Sequence, residues 1–222
     1  VNSEYIVGLS YADRVRLAAD SRNEALTQCL GGELLSLTSL MGPMSDGPEW
    51  PAGAAWLATH HAKHACIVSD GLSDPWVERN KPETGLGLEV FIESPDFICA
   101  SPLNLAALAD TWLFPMVAEI SHTLAGNERL CERLCAGELS SLEFNIEHIK
   151  DGRGRVGVLL NLTAYPLSLS GGEVRLVSAT LLTVAELRFL RGKGQEGRRQ
   201  LAELLLAAGV AGISLAGRAS VV

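Results

Sequence analysis

Residues 86–93 read LGLEVFIE. Leu86, Leu88, Val90 and Ile92 alternate with Gly87, Glu89, Phe91 and Glu93, the period of two that puts successive side chains on opposite faces of a β-strand. One face is wholly aliphatic and must be covered. The other sets two carboxylates around an aromatic ring. A chain containing this segment needs a sheet with at least one packed face.

Other segments supply the rest of that sheet and its cover. Residues 11–30 have a helical pattern, with Ser10 placed to cap the start and Gly31-Gly32 to stop it. The Pro- and Gly-dense stretch 41–53, MGPMSDGPEWPAG, predicts a long loop. AAWLATHH (54–61) and HACIVSDG (64–71) read as strands. Residues 104–125 predict a helix from near Asn104 to Gly126, kinked or split by Pro115, and 127–136 a shorter one. LSSLEFNIEHI and RVGVLLNL flank KDGRG, which predicts a hairpin. EVRLVSATLL (173–182) follows SGG as a further strand. Thr183 and Glu186 have capping-box spacing for TVAELRFL, and a last helix is predicted over about 195–208, stopped by Gly209. The order helix, strands, helices, strands, helices predicts an α+β fold, a mixed or antiparallel sheet with helices packed on it. There is no repeat and no low-complexity linker, so 1–222 is expected to form one domain, with 1–50 as its candidate N-terminal helical extension and loop.

The chain has 222 residues, 47% hydrophobic, which allows a sizeable core. Its formal net charge is −8, which argues against nucleic acid as a general partner. The charge is uneven: 1–150 carry 9 basic and 21 acidic residues, 151–222 carry 9 and 5. Five cysteines, at 29, 66, 99, 131 and 135, have no disulfide rhythm and fit free thiols. Cys131 and Cys135 read as small core residues of a helix. No segment has the form of a signal peptide, and LLLAAGVAGISLAG (204–217) is too short and Gly-rich to span a bilayer. A cytoplasmic protein is expected.

Residues 60–76, HHAKHACIVSDGLSDPW, carry the densest chemistry. His60 and His64 share one face on a helix but lie about 13 Å apart on a single strand. A turn at Ala62-Lys63 would bring His61 near His64, with Cys66 as a further metal ligand. Asp70, Asp74 and Glu89 with such a metal would make a small hydrolase, the alternative reading. Yet aspartates in SDG and before proline commonly cap turns through backbone N–H groups. The chain lacks G-x-S-x-G and any phosphate loop, and GLGLEV lacks the third glycine of a dinucleotide site. The NLT sequon at Asn161 lies in an apparent strand. No cofactor is implied.

HACIVSDGLSDPW followed by GLGLEVFIE resembles the signature of the suppressor-of-fused domain family, in order and at a plausible separation. TLLTVAELRFLRGKG is similar to the family's later strand-to-helix segment. The resemblance is specific over 64–93, compatible over 104–125 and 175–206, and silent on the first 50 residues and the C-terminal tail. It implies a non-enzymatic protein-interaction module. The family's animal member binds a transcription-factor peptide in a cleft, and single-domain bacterial versions are suspected immunity proteins that neutralise toxins. A basic peptide or protein is the expected partner, met by Asp70, Ser73, Asp74, Trp76, Glu78, Glu89, Phe91 and Glu93. In this reading the GLSDP turn determines shape, Trp76 and Phe91 are exposed anchors, and no residue is catalytic.

Overall fold

The computed structural model describes residues 8–37, 50, 56–62, 64–98, 105–146, 149, 155–164 and 166–222. Helix α1 (Tyr11–Leu30) precedes strands β1 (Leu35–Leu37), β2 (Trp56–His61), β3 (His64–Ser69) and β4 (Leu88–Ile98). A 3-10 turn (Ala107–Asp110) leads to α2 (Leu113–Ala125) and α3 (Glu128–Cys135). Then come β5 (Ser140–Phe144), β6 (Val156–Leu162), β7 (Leu167–Leu169), β8 (Gly172–Leu182), α4 (Val184–Leu190) and α5 (Gly194–Ala207).

The main sheet runs β1-β2-β3-β4-β8-β6-β5, with β7 paired to β8. Only β4 and β8 run parallel; every other described pair is antiparallel. The fold is therefore α+β with a mixed, mostly antiparallel sheet, as the element order predicts. The alternation in β4 places it at the centre. Leu88, Val90 and Ile92 enter a core shared with Leu113, Met116, Ile120 and Leu124 of α2. Phe91 enters a second core on the opposite face, against Leu26 and Leu30 of α1. Leu187, Leu201 and Leu205 of α4 and α5 pack on Leu159 and Leu182 in a third. Burying each leucine contributes roughly 1.5–3 kcal/mol, so helices on both faces are what make so flat an element stable.

Helix α1 has its expected bounds. Ser10 Oγ accepts from Asp13 N at 3.2 Å, and Gly31 ends it with φ +74°. The helix expected over 104–125 is corrected. Trp112 lies outside α2 and Pro115 sits in its first turn. A first-turn residue has no intrahelical acceptor for its N–H, so proline costs nothing there and α2 needs no kink. Both halves of the Thr183–Glu186 capping box form. The KDGRG turn, Asn104, Cys99 and all of 41–53 except Trp50 lie outside the described residues.

The path of the last residues has no sequence signal. Beyond Ile92 and Ala179, β4 and β8 no longer pair. Ile213 and Ser214 enter that gap. Ser214 N donates to Glu93 O (2.8 Å), Ser214 Oγ donates to Ala179 O (2.9 Å) and accepts from Leu181 N (2.8 Å). Four residues on, Arg218 grips Glu186 with two guanidinium nitrogens, at 2.6 and 2.5 Å. Glu186 is fully buried, and Thr183 N and Val221 N also donate to it. Burial alone would raise its pKa; Arg218 and the two N–H groups outweigh that and hold it below the ordinary 4.5. A depressed carboxyl contributes stability that is present above its unfolded value and is lost as pH falls through its folded value. Arg218→Ala should therefore destabilise the protein by about 1–3 kcal/mol and release the amides of 212–222 to fast hydrogen exchange at neutral pH. In the wild type, NMR signals of the same residues should sharpen only on acidification below the folded value of Glu186.

Candidate functional site

The GLSDP turn, residues 71–75, hangs from one arginine. The buried stripe of α1 is Arg14, Ala18, Arg22, Leu26 and Leu30, four residues apart. That spacing sends Arg22 beneath the turn. Its Nε donates to Asp70 Oδ1 at 2.6 Å, and its Nη1 to Asp74 Oδ1 at 2.6 Å and Ser73 Oγ at 3.2 Å. Glu89 Oε1 lies 3.7 Å from Nε. Glu89 is fully buried and accepts from Gly71 N (3.1 Å), Ser73 N (3.0 Å), Ser73 Oγ (2.6 Å) and Ser69 Oγ. The two blocks of the sequence signature are thus two halves of one network.

Three carboxylates face one guanidinium at low exposure. Burial pushes Glu89 and Asp74 above their ordinary pKa, although Arg22 and the hydroxyls oppose the shift. Burial pulls Arg22 down, but Glu89, Asp70 and Asp74 outweigh it and raise it, so it stays protonated.

The chain after the turn is held equally firmly. Leu86 N donates to Leu72 O at 2.9 Å. Gly85, at φ +54°, passes so near the turn that a Cβ there would lie 2.3 Å from Asp74 O. Only glycine tolerates both the dihedral and the approach. Arg14, two turns before Arg22, donates to Glu83 (2.7 Å) and to the carbonyls of Trp76 (2.9 Å) and Val77 (3.2 Å). Residues 76–87 so form one wall of a groove of about 490 Å³, whose other wall is α3. Trp76 is half-buried at this groove, with Lys81 Nζ 4.2 Å over its ring and 3.6 Å from Glu128. Val77 and Glu78 are exposed beside it.

The eight residues expected to meet a partner fall into three groups. Asp70, Ser73, Asp74 and Glu89 converge on Arg22, below the surface. Trp76 and Glu78 lie on the outer side of the loop. Glu93 stands apart: it accepts at 2.9 Å from His61 Nδ1 and at 2.7 Å from His64 Nδ1. Phe91, expected as an exposed anchor, is 7% exposed and belongs to the core under α1.

Strands β2 and β3 pair with His61 opposite His64, as expected, while Lys63 lies outside the described residues. His60 points to the other face, against Gly32. Asp70, Asp74 and Glu89 gather on Arg22 while His61 and His64 gather on Glu93, so the hydrolase constellation is not brought together. Among the described residues, no group of three or more His, Cys, Asp or Glu is arranged to hold a metal ion. Cys131 is buried in the core and Cys135 half-buried against it; burial pushes the Cys131 thiol up to about 12 and also raises Cys135. The sequence reading missed Arg14, Arg22, Lys81 and Glu128. The two arginines had a signal: they fall on the apolar stripe of α1, where an unpaired cation would be prohibitive.

No protein-family model and no curated protein matches this sequence. Solved structures do match, and they define its class: the chain has the suppressor-of-fused fold. A suppressor-of-fused homologue from Neisseria gonorrhoeae is 16% identical, with 92% of this chain and 97% of that one covered and a TM-score of 0.54. The match to a chain of the Sufu–Fu complex is 14% identical, covers 92% of each chain and has a TM-score of 0.58. Drosophila Suppressor of Fused is 12% identical, with 93% of this chain and 50% of that one covered and a TM-score of 0.53.

Removing Arg22 leaves buried carboxylates without a counter-charge. Arg22→Met should cost on the order of 3–5 kcal/mol in urea unfolding. The pH dependence has a definite sign. Carboxyls whose folded pKa is raised stabilise below their unfolded values and lose that contribution as pH rises through the folded ones. The deficit of Arg22→Met relative to wild type should therefore narrow from pH 8 to pH 5. A constant deficit would mean that Asp74 and Glu89 do not depend on Arg22.

Proposed function

We propose that this chain is a non-enzymatic protein-binding module of the cytoplasm, folded as one domain over 1–222. Its groove beside the GLSDP loop receives a basic segment of a partner protein. The observation that carries this reading is Trp76, held half-exposed at the groove by a loop that two buried arginines fix from below. A pre-shaped loop loses little freedom on binding, and an aromatic at a groove is the usual anchor of an interface. Glu78 and Glu132 are exposed, and neither has a cation partner among the described residues. They offer the negative charge that steers a basic segment. Glu93, buried and bonded to His61 and His64, stands apart from this surface. Asp70, Ser73, Asp74 and Glu89 shape the surface without meeting the partner, and Phe91 supports it from the core. Support also comes from the fold, which this chain shares with a protein solved in a Sufu–Fu complex.

An immunity protein is the narrower form of the same proposal, the partner then being a toxin that binding neutralises. That form requires co-expression with the bound partner to restore the growth of cells the partner alone arrests.

The test places a photo-crosslinking residue at Glu78 or Glu132 and, as a control, at Glu173 on β8. A partner captured from the native lysate at the first two positions and absent at the third is then purified. Trp76→Ala should weaken its affinity about tenfold or more without changing the melting temperature. Raising salt from about 50 to 500 mM should weaken the wild type more than Glu78→Gln/Glu132→Gln. A captured partner indifferent to Trp76→Ala would move the site away from this groove.

A further inference from the structure

The positive charge of the C-terminal third is concentrated in one turn. Residues 188–199, RFLRGKGQEGRR, hold Arg188, Arg191, Lys193, Arg198 and Arg199 against Glu196 alone. The rest of 151–222 is balanced, four cations against four acids. The structure folds this segment into the end of α4, a short turn and the start of α5. Arg188, Arg191, Lys193 and Arg199 are all exposed.

Several cations elsewhere in the protein lie on carboxylates. Arg14 lies on Glu83, Arg133 on Glu138, Arg175 on Glu173 and Arg218 on Glu186. None of the five in the turn has a carboxylate within ion-pair distance among the described residues. Lys193 instead rests on the face of Phe189, 3.3 Å from its centroid. Arg198 donates to the neutral Gln195, and burial together with the nearby Arg133 holds its pKa below the ordinary value. Arg188 lies in the last turn of α4, where the helix dipole favours it. Lys193 is the N-cap of α5, where the helix dipole disfavours positive charge. Five like charges crowded on two helix ends repel one another, and an anionic partner would relieve that repulsion.

We propose that the α4–α5 turn is a second docking surface, for a short acidic segment of a partner protein, separate from the groove at Trp76. Charge complementarity selects the occupant. At physiological salt a charge is felt over about 8 Å, so a short segment senses the local excess of cations. A long polyanion such as nucleic acid extends over the acidic remainder of a chain whose net charge is −8, and a membrane does the same over a wider area. Exposed guanidinium groups suit carboxylates, which they meet with paired hydrogen bonds.

The test uses a fluorescein-labelled deca-glutamate peptide, with deca-glutamine and a single-stranded DNA of equal charge as comparators, in fluorescence anisotropy. At about 50 mM salt the full chain should bind deca-glutamate, ignore deca-glutamine and bind the DNA more weakly. Arg191→Glu/Lys193→Glu should weaken deca-glutamate binding at least tenfold. Arg16→Glu/Arg129→Glu, which changes net charge equally at other exposed positions, should retain it to within a factor of two or three. All these positions are exposed, so folding is preserved and is checked by melting temperature. Failure to bind deca-glutamate, equal losses in the two double variants, or DNA binding as tight as the peptide would each overturn the proposal.

Discussion

The contact between Arg22 and three carboxylates is the constraint on which the rest of the loop depends. A guanidinium has five donors in a fixed plane and cannot deprotonate. Sunk among Asp70, Asp74 and Glu89, it fixes the place of α1, of the turn and of β4 at once. Each element alone would be unstable there. Glu89 in the middle of a sheet face would be a buried charge, and Arg22 on an apolar stripe another. Together, with Ser69, Ser73 and two backbone N–H groups completing Glu89, they satisfy one another. The network gives little net stability over a hydrophobic substitute; what it supplies is a single geometry. Arg14 repeats the device two turns away on the following loop. The outcome is a surface loop whose conformation is set from inside the protein.

The elements with a strong local rule were legible in the sequence. Helix α1, the capping box at Thr183, the strand through Leu88, Val90 and Ile92 and the α+β order all follow from periodicity and cap chemistry. Pro115 was misplaced because proline inside an apolar helical pattern gives the same signal whether it breaks a helix or begins one. Strands β1 and β7 are three residues long and carry no period to read. In the site, the turn was recognised from its motif, but its role was seen only half-way. The acidic residues looked like a charged surface because a sequence shows a carboxylate without its counter-ion. Arg22 is 48 residues before Asp70. Phe91 was misread for a related reason: its face of β4 carries Glu89 and Glu93 and looks exposed until α1 covers it.

The parting of β4 and β8 shows how one irregularity organises another. A parallel pair within an otherwise antiparallel sheet leaves strand ends that follow different partners: β4 stays with β3, β8 with β6. The backbone groups freed in the gap need partners, since buried orphans cost several kcal/mol in an apolar setting. Ser214 satisfies both sides at once, through its backbone to β4 and its hydroxyl to β8. A hydroxyl serves here because it can donate and accept from one atom. The Arg218–Glu186 pair then prevents the segment from leaving. Two buried arginine–carboxylate contacts, far apart in sequence, thus do the same work. Each holds a segment with no regular secondary structure against the sheet.

That shared device bears on how a fold of this kind varies. At 12–16% identity to its structural neighbours, little of the core can be common in side-chain detail. Apolar cores tolerate such divergence, since volume and pattern suffice. An arginine network does not, because its directions are fixed by hydrogen bonds. In this chain the Gly-Leu-Ser-Asp turn and its downstream Gly-x-Gly-x-Glu block are fixed by the network, while the side chains of Trp76, Val77 and Glu78 point away from it.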